Sequence, residues 1–437
     1  MNSPSPSQAP LQAPKGTRDF YPEDMRVQNH LFEVWRRACL DFGFEEYEGP
    51  TFEHLELFTE KSGREIVTQL YNFKDKAERD LALRPEMTPT LARMVNQKGG
   101  SLKLPLRWFS IPRLFRYEKS QRGRLREFFQ LNMDILGCET VAGEVDLLSA
   151  IIEMLKAFGL GPEDFSIQVS SRRLLSEFLD RQGVAADKKA PVYAALDKRA
   201  KIGEGEFRTL LGKEGLTAAG MDAIEAFFKC KGLEELKAHF PAAPEASGES
   251  RGLDELRRLF GYMDALGYGG YVNLDLSVVR GLAYYTGIVF EVYDKGMGMR
   301  AVAGGGRYDN LLASLGGKPV TGVGFGMGDV VLADLLREKN LMPSGREPLD
   351  YYLVDVAPAE TRLPNPQLLL LAQKLRAEGR RVGYSLSGEK VKKQMSQAND
   401  QGAGRVLFFG SDKGAEGAYE VKDLESGEQS VLAFEDL

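Results

Sequence analysis

Cysteine and histidine are scarce in this sequence, with 3 of each. Cys39, Cys138 and Cys230 stand far apart without a CxxC spacing, and His30, His54 and His239 are as dispersed, so neither a disulfide framework nor a metal site is supported. Long apolar runs are missing too: nothing approaches the 18 residues of a membrane-spanning helix. Together these absences predict a protein of the reducing cytoplasm with no membrane partner. Net positive charge is also lacking. At −6 the chain has no whole-surface attraction for nucleic acid, so any contact with a polyanion must come from local patches. Nucleotide-loop motifs are absent as well, since "AGGGRYDNLL" has neither the GxxxxGK[ST] order nor a GxGxxG opening a helix, and reads instead as a tight turn.

What is present is an ordinary globular composition, 43% hydrophobic and 27% charged over 437 residues, enough for two or three domains. The first residues, 1–13, are rich in Pro, Ser and Gln and read as a disordered leader. A helical pattern covers "VQNHLFEVWRRACLDF" with Gly43 as its cap, and "FEEYEGP" reads as a short strand stopped by Gly49 and Pro50. Between Lys103 and Gly137 two strand-like segments flank a basic loop, a hairpin with a charged tip. Helical patterns dominate from about Ser171 to Arg257 and predict an insertion. Strands return at "GGYVNLDLS", "GIVFEVYD" and "MRAVAGGG", and the glycine-rich "GVGFGMG" runs into a helix. "LMPSGREP" reads as a linker to a small α/β unit. The expected division is 14–168 and 258–340 for a core in two parts, 169–257 for the insertion, and 348–437 for the last domain.

Several constellations bear chemistry. Residues 103–126 hold Lys103, Arg107, Arg113, Arg116, Lys119, Arg122, Arg124 and Arg126 against the single acid Glu118, which fits phosphates, although composition alone allows a solvated loop as readily. Arg116 lies in the apolar "RLFRYE", where an unpaired guanidinium is costly, so a carboxylate or phosphate is expected in its fork. In "FFQLNMDILG" the even spacing of Gln130 and Asp134 puts both on one strand face, either lining a pocket for an ammonium or imidazole N–H or lying on a solvated sheet face. Glu86 and Thr88, in the proline-flanked "LRPEMTP", share one side of an extended segment. Arg280 sits beside Tyr284 and Tyr285 in "VVRGLAYYTG" and needs an anion. A second basic run holds Lys374, Arg376, Arg380, Arg381, Lys390, Lys392 and Lys393.

In this order the segments resemble the histidyl-tRNA synthetase family of class II aminoacyl-tRNA synthetases, from "KGTRDFYPEDM" onward. "LFRYEKSQRGRLREFFQLNMDILG" resembles motif 2, and "RGLAYYTGIVFE" and "AGGGRYDNL" resemble the two histidine-specific signatures. The resemblance implies an α+β fold: an antiparallel six-stranded sheet with flanking helices, a helical insertion, and a C-terminal α/β anticodon-binding domain. It implies a homodimer formed through the helix and strand that end at Pro50. It further implies ATP-dependent activation of histidine and transfer to tRNA-His, with Mg²⁺ carried by ATP. Glu86, Met87, Thr88, Gln130, Asp134, Tyr284 and Tyr285 would hold histidine, and Arg116 and Arg280 would meet the α-phosphate. Lys119, Arg122 and Arg124 would meet the tRNA acceptor strand, and Lys390, Lys392 and Lys393 the anticodon side.

The sequence also departs from the family pattern. "VGFGMGDVVLADLL" aligns with motif 3 in its glycines, yet Val330 and Val331 stand where the family has an acid and an ATP-binding arginine. Ala283 replaces an acid common in the first signature. Arg307 and Arg84 are the cations expected to be available as stand-ins. The alternative to an enzyme is a histidine-sensing paralogue resembling the regulatory subunit of ATP phosphoribosyltransferase, though such regulators commonly lack the C-terminal domain expected here.

Overall fold

The computed structural model describes residues 12–59, 68–119, 121, 123–199, 202–240, 250–278, 284–296, 298, 301–343, 348–358, 363–413 and 417–437. Two compact units divide it, Met1–Met342 and Pro343–Leu437.

The first unit is organised by strands whose two faces differ in chemistry. Six of them, Leu106–Ser110, Glu127–Leu136, Gly322–Gly328, Ala303–Arg307, Ile288–Asp294 and Phe165–Ser171, pair in that spatial order, every pair antiparallel. This is the expected six-stranded sheet. Short parallel strands extend each edge, Glu45–Glu46 beside Leu106–Ser110 and Val272–Leu274 beside Phe165–Ser171. Arg113–Phe115 pairs with the outer end of the long Glu127–Leu136 strand and brings the total to nine.

One face of the sheet is apolar. Leu131, Met133 and Ile135 alternate onto it from the long strand, Val323, Phe325 and Met327 from the glycine strand, and Phe290 and Val292 from Ile288–Asp294, all within one buried cluster. Helices Pro22–Asp41, Ala142–Ala157, Arg251–Ala265 and Asp329–Glu338 contribute to that cluster. In the first of them Leu31, Trp35 and Cys39 recur every fourth residue and are fully buried. It begins five residues before the expected Val27, because Pro22 suits the first helical turn and Glu23 and Asp24 favour its N-terminus.

The described residues between Arg172 and Ala238 are mainly helical, with Phe178 stacked on Phe227 at 4.2 Å in their core. The boundaries expected at 168/169 and 257/258 fall inside the Phe165–Ser171 strand and the Arg251–Ala265 helix, because both elements continue onto the sheet.

In the second unit, Val382–Tyr384, Tyr351–Asp355 and Arg405–Phe409 run parallel, and Ala418–Asp423 and Gln429–Ala433 complete the sheet as an antiparallel hairpin. Tyr351 and Leu353 pack on one side and Tyr352 and Val354 on the other, as expected of a strand covered by helices on both faces.

Candidate active site

The second face of the main sheet carries a polar row beside a smaller apolar cluster that includes Leu106, Leu136 and Val289. Gln130, Asn132 and Asp134 face it from the long strand, and their partners across the ladder are Gly328, Gly326 and Gly324. One strand further on, Gly306 and Gly304 continue the row. A Cβ on Gly324 would land on the Asp134 carboxylate, and one on Gly326 would land on the Gln130 amide. The missing side chains are therefore what makes room for the two polar groups themselves. Gln130 and Asp134 share one face, as their spacing predicts.

The walls come from two distant segments. Glu86 lies two residues before the Thr88–Lys98 helix, whose N-cap is Met87. Thr88 is thus helical and not in the extended segment expected for it, because Pro89 falls in the first turn, where its missing N–H costs nothing. The helix entry still turns Glu86 and Thr88 toward one partner: Glu86 Oε2 accepts the Tyr284 hydroxyl at 3.1 Å, and the Thr88 side chain also hydrogen-bonds it. Tyr285 lies 5.1 Å from Tyr284 between ring centroids and covers Gly306. Tyr308 meets Tyr284 edge-on at 5.9 Å and donates its hydroxyl proton to Asp134 Oδ1. Glu86, Thr88, Tyr284, Tyr308 and Asp134 thus form one connected arc over the glycine floor.

Burial sets the protonation of this arc. The Asp134 carboxyl is pushed up to about 7 by burial, with the Tyr308 hydroxyl drawing it partly back. The Tyr284 and Tyr308 hydroxyls are raised well above their ordinary value by burial and then by the carboxylates of Glu86 and Asp134, so both remain donors at neutral pH.

Arg116 follows the end of the Arg113–Phe115 strand and is half-buried. Its Nε donates to the Pro85 carbonyl at 2.8 Å, one residue before Glu86, and its guanidinium lies 5.4 Å from the centre of the Phe128 ring. It therefore stands at the outer end of the polar face. Arg280 and Ala283 lie outside the described residues, as does Arg122.

Much of the basic hairpin is internally compensated. Arg107 pairs with Asp146, Arg113 with Glu127, and Arg124 with Glu118, each at 2.6 Å, while Arg126 covers the Tyr117 ring. Two of those carboxylates lie beyond residue 126, so the local imbalance overstated the free charge. Lys119 is exposed. In the second unit Lys390, Lys392 and Lys393 are exposed around the start of the Val391–Asp400 helix, and Lys393 pairs with Glu389 at 2.8 Å.

A family model described as histidyl-tRNA synthetase matches residues 16–329, which takes in every element of this site. The chain belongs to that family. An anticodon-binding-domain model matches 354–437. Among curated relatives, the chloroplastic/mitochondrial histidine–tRNA ligase of Arabidopsis thaliana is 40% identical over 98% of this chain and 86% of its own length. That of Opitutus terrae is 40% identical over 95% of this chain and 94% of its own. The crystal structure of histidyl-tRNA synthetase from Nostoc sp. PCC 7120 superposes with a TM-score of 0.79 at 26% identity, covering 98% of this chain and 97% of the other.

Within this family frame the two expected stand-ins for the motif 3 arginine are ruled out. Arg307 is on the apolar side of the sheet, where Glu144 and the Cys138 and Thr140 carbonyls hold it. Arg84 is buried against Glu48 at 2.5 Å and the Gly49 and Arg113 carbonyls. Each buried guanidinium has been taken by the nearest oxygens. Val331 packs into the core. Sequence reasoning also missed Tyr308, whose signal was a tyrosine next to a run of strand glycines. It missed Phe128, an aromatic at an even position of the polar strand face. Among the described residues, no group of His, Cys, Asp and Glu side chains is arranged to hold a metal ion, and no helix is long and apolar enough to cross a membrane.

Proposed function

We propose that this protein activates L-histidine with MgATP to histidyl-adenylate and transfers the histidyl group to the 3′ end of tRNA-His. The observation that carries this reading is the arc of Glu86, Thr88, Tyr284, Tyr308 and Asp134 on a glycine floor, with Arg116 at its outer end. Glu86, Thr88 and Gln130 take the α-ammonium, and Met87 lies at the same helix entry. The free oxygen of Asp134 takes an imidazole N–H, and Tyr284 and Tyr285 wall the ring. A side chain without ring nitrogens leaves the second oxygen of Asp134 without a donor, which is the basis of discrimination.

The histidine carboxylate attacks the α-phosphorus, and charge gathers on non-bridging oxygens. Arg116, held by the Pro85 carbonyl and Phe128, stabilises that charge without reorganising. Arg280 shares this role by family resemblance. Carried in as MgATP, the metal would supply charge neutralisation for the departing pyrophosphate. The acceptor strand then meets the loop from Lys119 to Arg126, and the anticodon side meets Lys390, Lys392 and Lys393. The reading includes a cytoplasmic homodimer joined through the Pro22–Asp41 helix and the strand after it.

Histidine-dependent exchange of pyrophosphate into ATP, followed by charging of tRNA-His, tests it. Exchange and charging are expected. Pure protein that binds histidine yet exchanges nothing would leave the sensing paralogue in its place.

A further inference from the structure

Asp329 opens the Asp329–Glu338 helix and is fully buried, and Val330, Val331 and Leu332 complete a turn with no other charge. A buried carboxylate needs partners. One oxygen, Oδ1, accepts the backbone N–H of Phe129 in the long strand at 3.0 Å, and the other, Oδ2, accepts Nη2 of Arg18 at 2.6 Å. Arg18 also lies over the Phe20 ring at 4.8 Å, and Phe20 meets Phe129 edge-on. Two residues earlier, the Gly16 carbonyl accepts the N–H groups of Arg126 and Glu127 at 2.8 and 3.3 Å. The segment from Gly16 to Arg18 thus spans the base of the motif 2 loop, the outer end of the long strand and the start of the last core helix.

The bracketed stretch is 126–129, and it contains Phe128, the ring against which Arg116 lies. Asp134, at the imidazole end of the pocket, is five residues further along the strand, about 17 Å at the usual rise. A clasp at the outer end acts on the arginine side of the site first.

We propose that Arg18 is a positioning residue for ATP: clamped on Asp329, it fixes the strand segment that aims Arg116, and it leaves the imidazole end of the histidine pocket alone. This rests on the reading that Arg116 meets the α-phosphate.

Pyrophosphate exchange by the full chain, with ATP and histidine varied separately, tests the proposal on Arg18→Ala and Arg18→Lys alongside thermal melts. Arg18→Ala is expected to raise the KM for ATP about tenfold, the scale of one charge-assisted hydrogen bond, with the KM for histidine within about twofold. Arg18→Lys keeps the charge without the planar fork, and should fall between the two. If Arg18→Ala does not fold, the same split must appear in Arg18→Lys. Equal changes in both KM values, or a lowered Tm with an unchanged KM for ATP, overturn the positioning role. Absence of exchange in the unaltered protein overturns the proposed function and this inference with it, so the two failures are distinguishable.

Discussion

Arg307 and Glu144, 163 residues apart, form a two-pronged ion pair in the core, with Nε on Oε1 at 2.7 Å and Nη2 on Oε2 at 2.6 Å. Side-chain exposures of 6% and 1% leave it almost no solvent. The carbonyls of Cys138 and Thr140 take further guanidinium N–H groups, so the pair ties the Ala303–Arg307 strand to the loop and helix that follow the long strand.

Burial pushes the Glu144 carboxyl above its ordinary value, and the Arg307 guanidinium opposes that. Arg307→Ala should therefore lower the unfolding free energy by about 3–5 kcal/mol in a urea titration, because an unpaired buried carboxylate is left behind. Removing both partners should cost clearly less than the two single changes summed. Additive losses would mean that the pair contributes only packing.

Asp134 supplies a pH test. Its carboxyl is raised to about 7 in the folded protein from an ordinary value of 3.8, so between those limits the folded state holds a proton that the unfolded state has released. Stability contributed by this group falls as pH rises from about 4 to about 7 and is level above. Asp134→Asn should remove that slope, and the variant should gain on the parent in denaturant midpoint between pH 5 and pH 8. Parallel profiles would place the carboxyl at its ordinary value.

The glycine floor is testable by one methyl group. Gly326→Ala puts a Cβ against the end of the Gln130 side chain, which is flexible enough to swing aside. The fold should survive with a small change in Tm, while the KM for histidine rises about tenfold or more as the amide leaves its place. An unchanged KM would remove Gln130 from the histidine site.

On the second unit, Lys393 is already paired with Glu389. Replacing Lys390 and Lys392 by alanine should weaken tRNA binding and reduce the slope of log K against log salt by about 0.9 for each phosphate that is no longer neutralised. Adenylate formation should not change. An unaltered salt slope would exclude this patch from the interface.

What was legible in the sequence was local. Gln130 and Asp134 could be put on one face because strand alternation is fixed by geometry, and the helical insertion and the α/β unit announce themselves by period. What was not legible depends on pairing across the chain. Tyr308 reaches Asp134 over 174 residues, and no spacing rule connects them. Arg307 looked available because only its neighbours in sequence were visible, whereas its carboxylate comes from Glu144. Thr88 was misplaced because proline was read as a mark of extension when here it opens a helix.

The strand Gly322–Gly328 reads Gly, Val, Gly, Phe, Gly, Met, Gly, with Gly324, Gly326 and Gly328 beside Asp134, Asn132 and Gln130 and the large residues in the core. A saturation scan across it should give two interleaved phenotypes. Changes at the even positions 324 and 326 register as impaired catalysis in soluble protein, and changes at 323, 325 and 327 as absence of folded protein. Seven consecutive codons thus separate what this molecule needs in order to exist from what it needs in order to act.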